Sequence, residues 1–330
     1  MTQPRKTLVC VEQTPYYHCI GRCVRRAYLC GHDAASGRSY EHRRTWMRDR
    51  LALLSRVFAI DVCAYALMSN HYHLVLRLAP ARTAQWSDAE VAERWGALFT
   101  GPPLVQRYLR GQSSSTAEQT RARAILDTWR QRLADLSWFM RCLNEYIARR
   151  ANAEDACKGH FWEARFKSQA LLDDIALLQG MVYVDLNPIR ATLASSIEDS
   201  EFTSVQQRFR TLTGLASPEP EDTLPRLAAW REPGTLDTDT LPFTLVDYLA
   251  LVDATGRCCV AGKRGFIAAD RPKLLQHLHL DPDRWLDRMR SRRGSAHHAV
   301  GAPDALRRFA ERMVQQWMHG MSVARALYPT

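Results

Sequence analysis

The sequence predicts an α+β fold: a ferredoxin-like antiparallel sheet with packed helices, followed by a mainly helical C-terminal region. Three observations predict it. Residues up to about 200 run strand, helix, strand, strand, helices, strand, helix, the order of a split β-α-β unit carrying an insertion. Two apolar runs, "AIDVCAYALM" and "HYHLVLRL", are joined only by Ser69-Asn70, as in a hairpin. A stretch rich in proline and acidic residues, 216–242, then separates this unit from segments of helical periodicity.

Thr14–Val24 reads as the first strand, and a Gly/Ser loop follows it. Met47, Leu51, Leu54 and Phe58 then recur at helical spacing, on a helix that also carries Arg43, Arg44, Arg48, Arg50 and Arg56. The hairpin comes next. Residues 79–134 are polar, basic and punctuated by Pro, Gly and Ser, which predicts a helical insertion with a loop near "GQSSST". Leu136, Met140, Leu143 and Ile147 mark another helix. "GHFWEARFKSQALL" alternates, with Trp162, Ala164, Phe166, Ser168 and Ala170 on one face, so it reads as a strand with a basic outer face. Asp173 is an N-cap for the helix "DIALLQGMVYVDLN", which stops at Pro188. The predicted organisation is a first domain over 1–215, a linker over 216–242 and a helical extension over 243–330.

With 330 residues, 46% of them hydrophobic, the chain can bury a sizeable core. No apolar run approaches the ~20 residues of a membrane span. The N-terminus lacks a secretory signal, so the expected location is cytoplasmic. The formal net charge of +10 favours a polyanionic partner, nucleic acid first. The nine cysteines are expected to be reduced thiols. Cys19, Cys23, Cys30 and His32 fit no standard zinc spacing, which favours small buried residues over a metal knuckle.

His71-Tyr72-His73 carries the chemistry. Strand side chains alternate, so the two imidazoles share one face and Tyr72 takes the other. Paired imidazoles on a rigid strand make half of a divalent-metal site. Gln179, Tyr183 and Asn187, spaced by four, form a polar stripe on the later helix, opposite an apolar stripe of Ile175, Leu178, Val182 and Leu186. A tyrosine hydroxyl can attack phosphorus, and Asn187 could complete a site for Mg²⁺ or Mn²⁺ through its amide oxygen. Helix capping is an equal reading of Asn187. Arg165, Lys167 and Arg190 are candidate phosphate contacts, or else a solvated basic face.

"SNHYHLVL" resembles the histidine–hydrophobic–histidine motif of the HUH superfamily of single-strand DNA nucleases. "FWEARFKSQ" followed by "YVDLNPIRA" resembles the single-tyrosine transposases, most closely the REP-associated tyrosine transposases. The resemblance spans Tyr17 to Leu193, with three motifs in the family's order. It implies that Tyr183 is the nucleophile that forms a 5′-phosphotyrosine bond with single-stranded or hairpin DNA, leaving a free 3′-OH. It also implies that His71 and His73 bind the metal, with Asn187 as a further ligand, and that the protein works as a monomer or a homodimer. Tyr72 is bulkier than the family's usual aliphatic residue, and the insertion and C-terminal region exceed the minimal family domain. Arg288, Arg290, Arg292 and Arg293 could extend a DNA footprint.

Two other readings come from different classes. A catalytically silent binder of structured DNA repeats would use the basic surface alone. An unrelated metal hydrolase would combine the histidines with carboxylates such as Asp61 and Asp185 and would not need Tyr183.

Overall fold

The computed structural model describes residues 9–24, 29–33, 37–215, 219–232, 234–235, 239–259, 267, 272–291, 298–315 and 318–328. Arg292 and Arg293 lie outside them. Strand β1 (Tyr16–Arg22) is followed by α1 (His42–Val57), β2 (Ile60–Leu67) and β3 (His71–Leu78). Met68 N–H donates to His71 O at 2.9 Å and closes the hairpin. Helices α2 (Pro80–Thr83), α3 (Asp88–Gly96), α4 (Pro103–Leu109) and α5 (Thr116–Arg132) fill the expected insertion. Ser87 and Ser115 cap α3 and α5 by accepting from Glu90 N–H and Glu118 N–H. Such caps satisfy backbone donors that a helix start leaves unpaired.

Helix α6 (Leu136–Glu154) leads to β4 (Lys167–Leu171) and α7 (Asp174–Asp185), then the short α8 (Asn187–Arg190) and α9 (Ser204–Thr213). The C-terminal region contributes α10 (Leu245–Cys259), α11 (Lys273–His277), α12 (Pro282–Arg290), β5 (Ala299–Val300), α13 (Pro303–Arg312) and α14 (Met321–Leu327). Among the described residues no helix is long and apolar enough to cross a membrane.

The strand order is β2-β3-β1-β4-β5. The first four strands pair antiparallel, but β5 runs parallel to β4. The sheet is therefore mixed, not antiparallel throughout, because the C-terminal region returns to add an edge strand that its helical periodicity did not announce. A second correction concerns 159–172. Only Lys167–Leu171 is strand. Ahead of it, the chain is held to the end of β1 by bonds such as Glu163 N–H to Arg22 O, 2.9 Å, and Val24 N–H to Phe161 O, 2.9 Å. The alternation there is a sequence coincidence, since Glu163, Ala164 and Arg165 border one cavity together.

Each face of the sheet carries its own layer. Tyr72 is fully buried, and its hydroxyl donates to Asn144 Oδ1 of α6 at 2.7 Å. Helix α6 in turn meets α1, where the buried Arg43 pairs with Glu154 at 2.6 Å. The opposite face receives α7, which is buried on nearly all sides. The expected contrast between its apolar and polar stripes is therefore absent in burial: Gln179 is 6% exposed. Gly180 permits the close approach, because a Cβ there would lie 3.0 Å from Leu171 Cδ1. Within the segment read as a linker, Leu227 and Ala228 meet the outer edge of β2, with Ala228 N–H donating to Val62 O at 2.9 Å. Arg48 of α1 pairs with Glu219 of the same segment at 2.8 Å.

Tyr72 fits because Gly21 stands opposite it: a Cβ on Gly21 would come within 2.4 Å of the Tyr72 ring. Gly21→Ala is expected to destabilise the protein by about 1–3 kcal/mol, the usual cost of overpacking. Trimming the ring with Tyr72→Leu should recover part of that loss. A urea-denaturation double-mutant cycle checks this, and additive effects would contradict it.

Candidate functional site

Antiparallel pairing sets which side chains share the α7 face. His71 lies opposite Arg22, and His73 opposite Ile20. Across β1, Ile20 lies opposite Lys167, and His18 opposite Gln169. Directly opposed residues project to the same side, as do residues two apart on one strand. One face thus presents His71, His73, Arg22, His18, Lys167 and Gln169.

Helix α7 begins at Asp173, whose carboxylate accepts from Ala176 N–H at 2.8 Å. Nearly three turns later it delivers Tyr183 to the histidines. The Tyr183 ring centroid lies 5.8 Å from that of His73 and 6.0 Å from that of His18. The His71 and His73 rings are 5.0 Å apart. Leu186 ends α7, and Asn187-Pro188 opens α8. This break keeps Asn187 beside Tyr183 and turns Arg190 back over the Tyr183 ring, 4.3 Å from its centroid.

These side chains border a cavity of about 540 Å³, together with Glu163, Ala164 and Ala191. His71, His73, Tyr183, Asn187, Arg165, Lys167 and Arg190 all reach it. So does Arg22, which the sequence reading did not single out. Arg22, Arg165, Lys167 and Arg190 face one carboxylate, Glu163, so the cavity suits an anion.

Burial keeps the histidines neutral. His71 is pulled down to about 4 by burial, with Arg22 adding to the effect. His73 sits well below its ordinary value, through burial first and then His18, His71, Arg190 and Arg22. His18 is lowered to about 4 by burial, against a hydrogen bond to Gln169. Neutral imidazoles are the form that ligates metal.

Among the described residues, no group of three or more His, Cys, Asp or Glu side chains could hold a metal. The cavity's donor set is two imidazoles and the Asn187 amide. The Asn187 Nδ2 atom is buried without a hydrogen-bond partner, a donor that an oxygen of an anionic ligand would satisfy, whereas the amide oxygen is the atom a cation would take. The set fits a divalent ion of borderline character that keeps open positions for oxygen ligands.

Two further residues were missed in the sequence, His18 and Gln169, and Arg288 was read for a different place. His18 has no motif around it and meets His73 only across the β1–β3 pairing, Nε2 to Nδ1 at 2.9 Å. Gln169 sat in an alternating strand pattern. Arg288 comes from the distant α12 to pack against Gln179, whose amide oxygen, once turned toward it, accepts from Arg288 Nη2 at 2.9 Å. It borders Tyr183 from behind. Of the other arginines proposed for a footprint, Arg290 donates to Cys258 O at 2.9 Å.

The competing assignments separate from the cavity. Asp61 is engaged by Arg82 at 2.8 Å and by Arg77 at 3.2 Å. Asp185 is fully buried against Tyr248 and Ser204. Neither borders the histidines. Three other tyrosines do not border the cavity: Tyr65 and Tyr72 are buried elsewhere, and the Tyr146 hydroxyl accepts from Arg150 Nη1 at 2.8 Å. Cys19, Cys23 and Cys30 are buried thiols outside any disulfide, and burial pushes Cys30 up to about 11.

No family model matches the chain. No curated protein matches it either. Among solved structures, a REP-associated tyrosine transposase bound to a REP hairpin aligns with 74% of this chain and 99% of that chain. The TM-score is 0.36 and the identity 13%, too loose a superposition to carry an argument.

The histidines make stability pH-dependent. Unfolded imidazoles titrate near 6.5, whereas His18 and His71 in the fold resist protonation down to about 4. As pH falls through that window, the unfolded chain gains protons that the folded chain refuses, so stability is lost. The urea midpoint of metal-free protein should fall between pH 7 and pH 4.5, and fall less in His71→Asn. Parallel pH profiles for the two proteins would contradict the burial of His71.

Proposed function

We propose that this chain is a metal-dependent single-strand DNA endonuclease and strand transferase of the REP-associated tyrosine transposase type, built on a ferredoxin-like core. The observation that carries the proposal is Tyr183 beside His73 in a cavity rimmed by Arg22, Arg165, Lys167 and Arg190. The order of the three sequence motifs supports it independently. So does the β-α-β-β-α-β succession of the first four strands.

In this reading the Tyr183 hydroxyl oxygen attacks phosphorus and the bond to the 3′ oxygen breaks. The phenolic proton departs, and a proton is taken up by the leaving 3′ oxygen. The products are a 5′-phosphotyrosine and a free 3′-OH, and attack by a 3′-OH in the reverse sense joins strands. Arg190 lies over the Tyr183 ring, where its charge favours developing phenolate. Arg22, Arg165 and Lys167 hold the strand's phosphates. His71, His73 and Asn187 would hold Mg²⁺ or Mn²⁺, which supplies Lewis-acid polarisation of the scissile phosphate. All these residues come from one chain, so each protomer carries a whole site, whether it acts alone or in a homodimer. The substrate class is hairpin-forming repeat DNA.

The test is a denaturing-gel adduct assay. Purified protein is mixed with end-labelled hairpin oligonucleotides drawn from repeats near its own gene, with Mn²⁺ or EDTA. A metal-dependent covalent band is expected, absent in Tyr183→Phe and reduced at least about 100-fold in His71→Ala. An adduct surviving in Tyr183→Phe would remove the assigned nucleophile. Salt-sensitive binding with no adduct would leave the silent DNA-binding reading instead.

A further inference from the structure

A ligating histidine must offer a lone pair, so the proton on its other nitrogen matters. For His71 the partner is plain: Nδ1 lies 2.6 Å from Asn70 Oδ1, an acceptor. Nδ1 therefore carries the proton and Nε2 is the ligating atom. His73 has no such simple partner. Its Nδ1 faces another imidazole, His18 Nε2, at 2.9 Å, and either ring could donate.

The cavity decides. His73 borders it and turns Nδ1 to His18, so Nε2 is the nitrogen left to ligate a cation, and the proton must sit on Nδ1. Behind His18, Gln169 is directly opposed across β1 and β4, and the two side chains are hydrogen-bonded. With its Nε2 committed to His73, His18 uses Nδ1–H for this bond. Neutral His18 then has Nε2 as an acceptor, and only His73 Nδ1–H can donate to it. Both rings are 4% exposed, and Gln169 is 8% exposed, so bulk water does not compete. The His18 and His73 rings are near-parallel, 24° apart with centroids at 5.1 Å, which fixes the orientation of His73 as well.

We propose that Gln169 and His18 are positioning residues that hold His73 with its proton on Nδ1, so that Nε2 presents its lone pair to a divalent cation. The chain Gln169–His18–His73 matches what Asn70 does for His71. Both ligands then offer the same nitrogen from the same strand face. The inference rests on the metal-site reading above, and it adds two residues that touch neither cation nor DNA. An amide suits the end of the chain because it accepts without taking up a proton.

Two readouts test it, neither of them activity. Long-range ¹H–¹⁵N spectra of histidine-labelled, metal-free full-length protein at neutral pH should show His18 and His73 both protonated at Nδ1. An Nε2–H tautomer at His73 overturns the proposal without any substitution. Mn²⁺ titration by calorimetry should then show affinity about 10–100-fold weaker in Gln169→Leu and His18→Phe. Gln169→Glu, which keeps an acceptor, should restore it, and His71→Ala should abolish it. If wild type and His71→Ala behave as expected while the Gln169 and His18 variants bind like wild type, the positioning role falls and the metal site stands. If wild type binds no Mn²⁺, the metal site falls and the positioning role with it.

Discussion

The placement of β1 between β3 and β4 is the constraint on which the rest depends. Antiparallel pairing leaves no freedom in which side chains meet, since a slip of one residue on either side would turn a whole strand's side chains to the opposite face. With the observed register, His71 and His73 face Arg22 and Ile20, while His18 faces Gln169. His71, His73, Arg22 and Lys167 of the cavity are thus supplied by three neighbouring strands. Gly21 protects that register from behind, since Tyr72 occupies the space a side chain would need.

Helix α7 must then lie flat on a polar patch that is almost dry, and the C-terminal region makes this tolerable. Asp173 at its start accepts from Ala302 N–H at 2.7 Å and from the Tyr328 hydroxyl at 2.6 Å. Gln179 at its middle meets Arg288. Asp185 at its end is wholly buried, and burial raises its carboxyl above the usual range. The Tyr248 hydroxyl, Val205 N–H and the Ser204 hydroxyl all donate to it. A buried carboxylate costs several kcal/mol unless so satisfied. These bonds hold Tyr183 against His73 at both ends of its helix. The C-terminal region is therefore part of the support of the site, and its one short strand extends the same sheet.

Electrostatics complete the arrangement. Cations rim the cavity and the imidazoles beneath are neutral, so the field attracts a polyanion while the floor keeps unprotonated nitrogens. Arg190 serves both ends of this design: it lies over Tyr183 and is one of the charges that disfavours protonation of His73.

Much of this was legible in the sequence, because periodicity is local. Period two placed His71 and His73 on one face, and period four placed Tyr183 and Asn187 together. The hairpin turn at Ser69-Asn70 and the cap at Asp173 follow from residue chemistry within a few positions. What failed was also local pattern without pairing: 162–166 alternates like a strand but is loop. Only the tertiary structure decided that His18 and Gln169 stand behind His73, and that Arg288 stands behind Tyr183. Those contacts join residues far apart in the chain through strand register and helix packing. No property of an isolated segment specifies which strand will pair with it. The sequence alone determined which faces carry the chemistry, and the fold determined which faces meet.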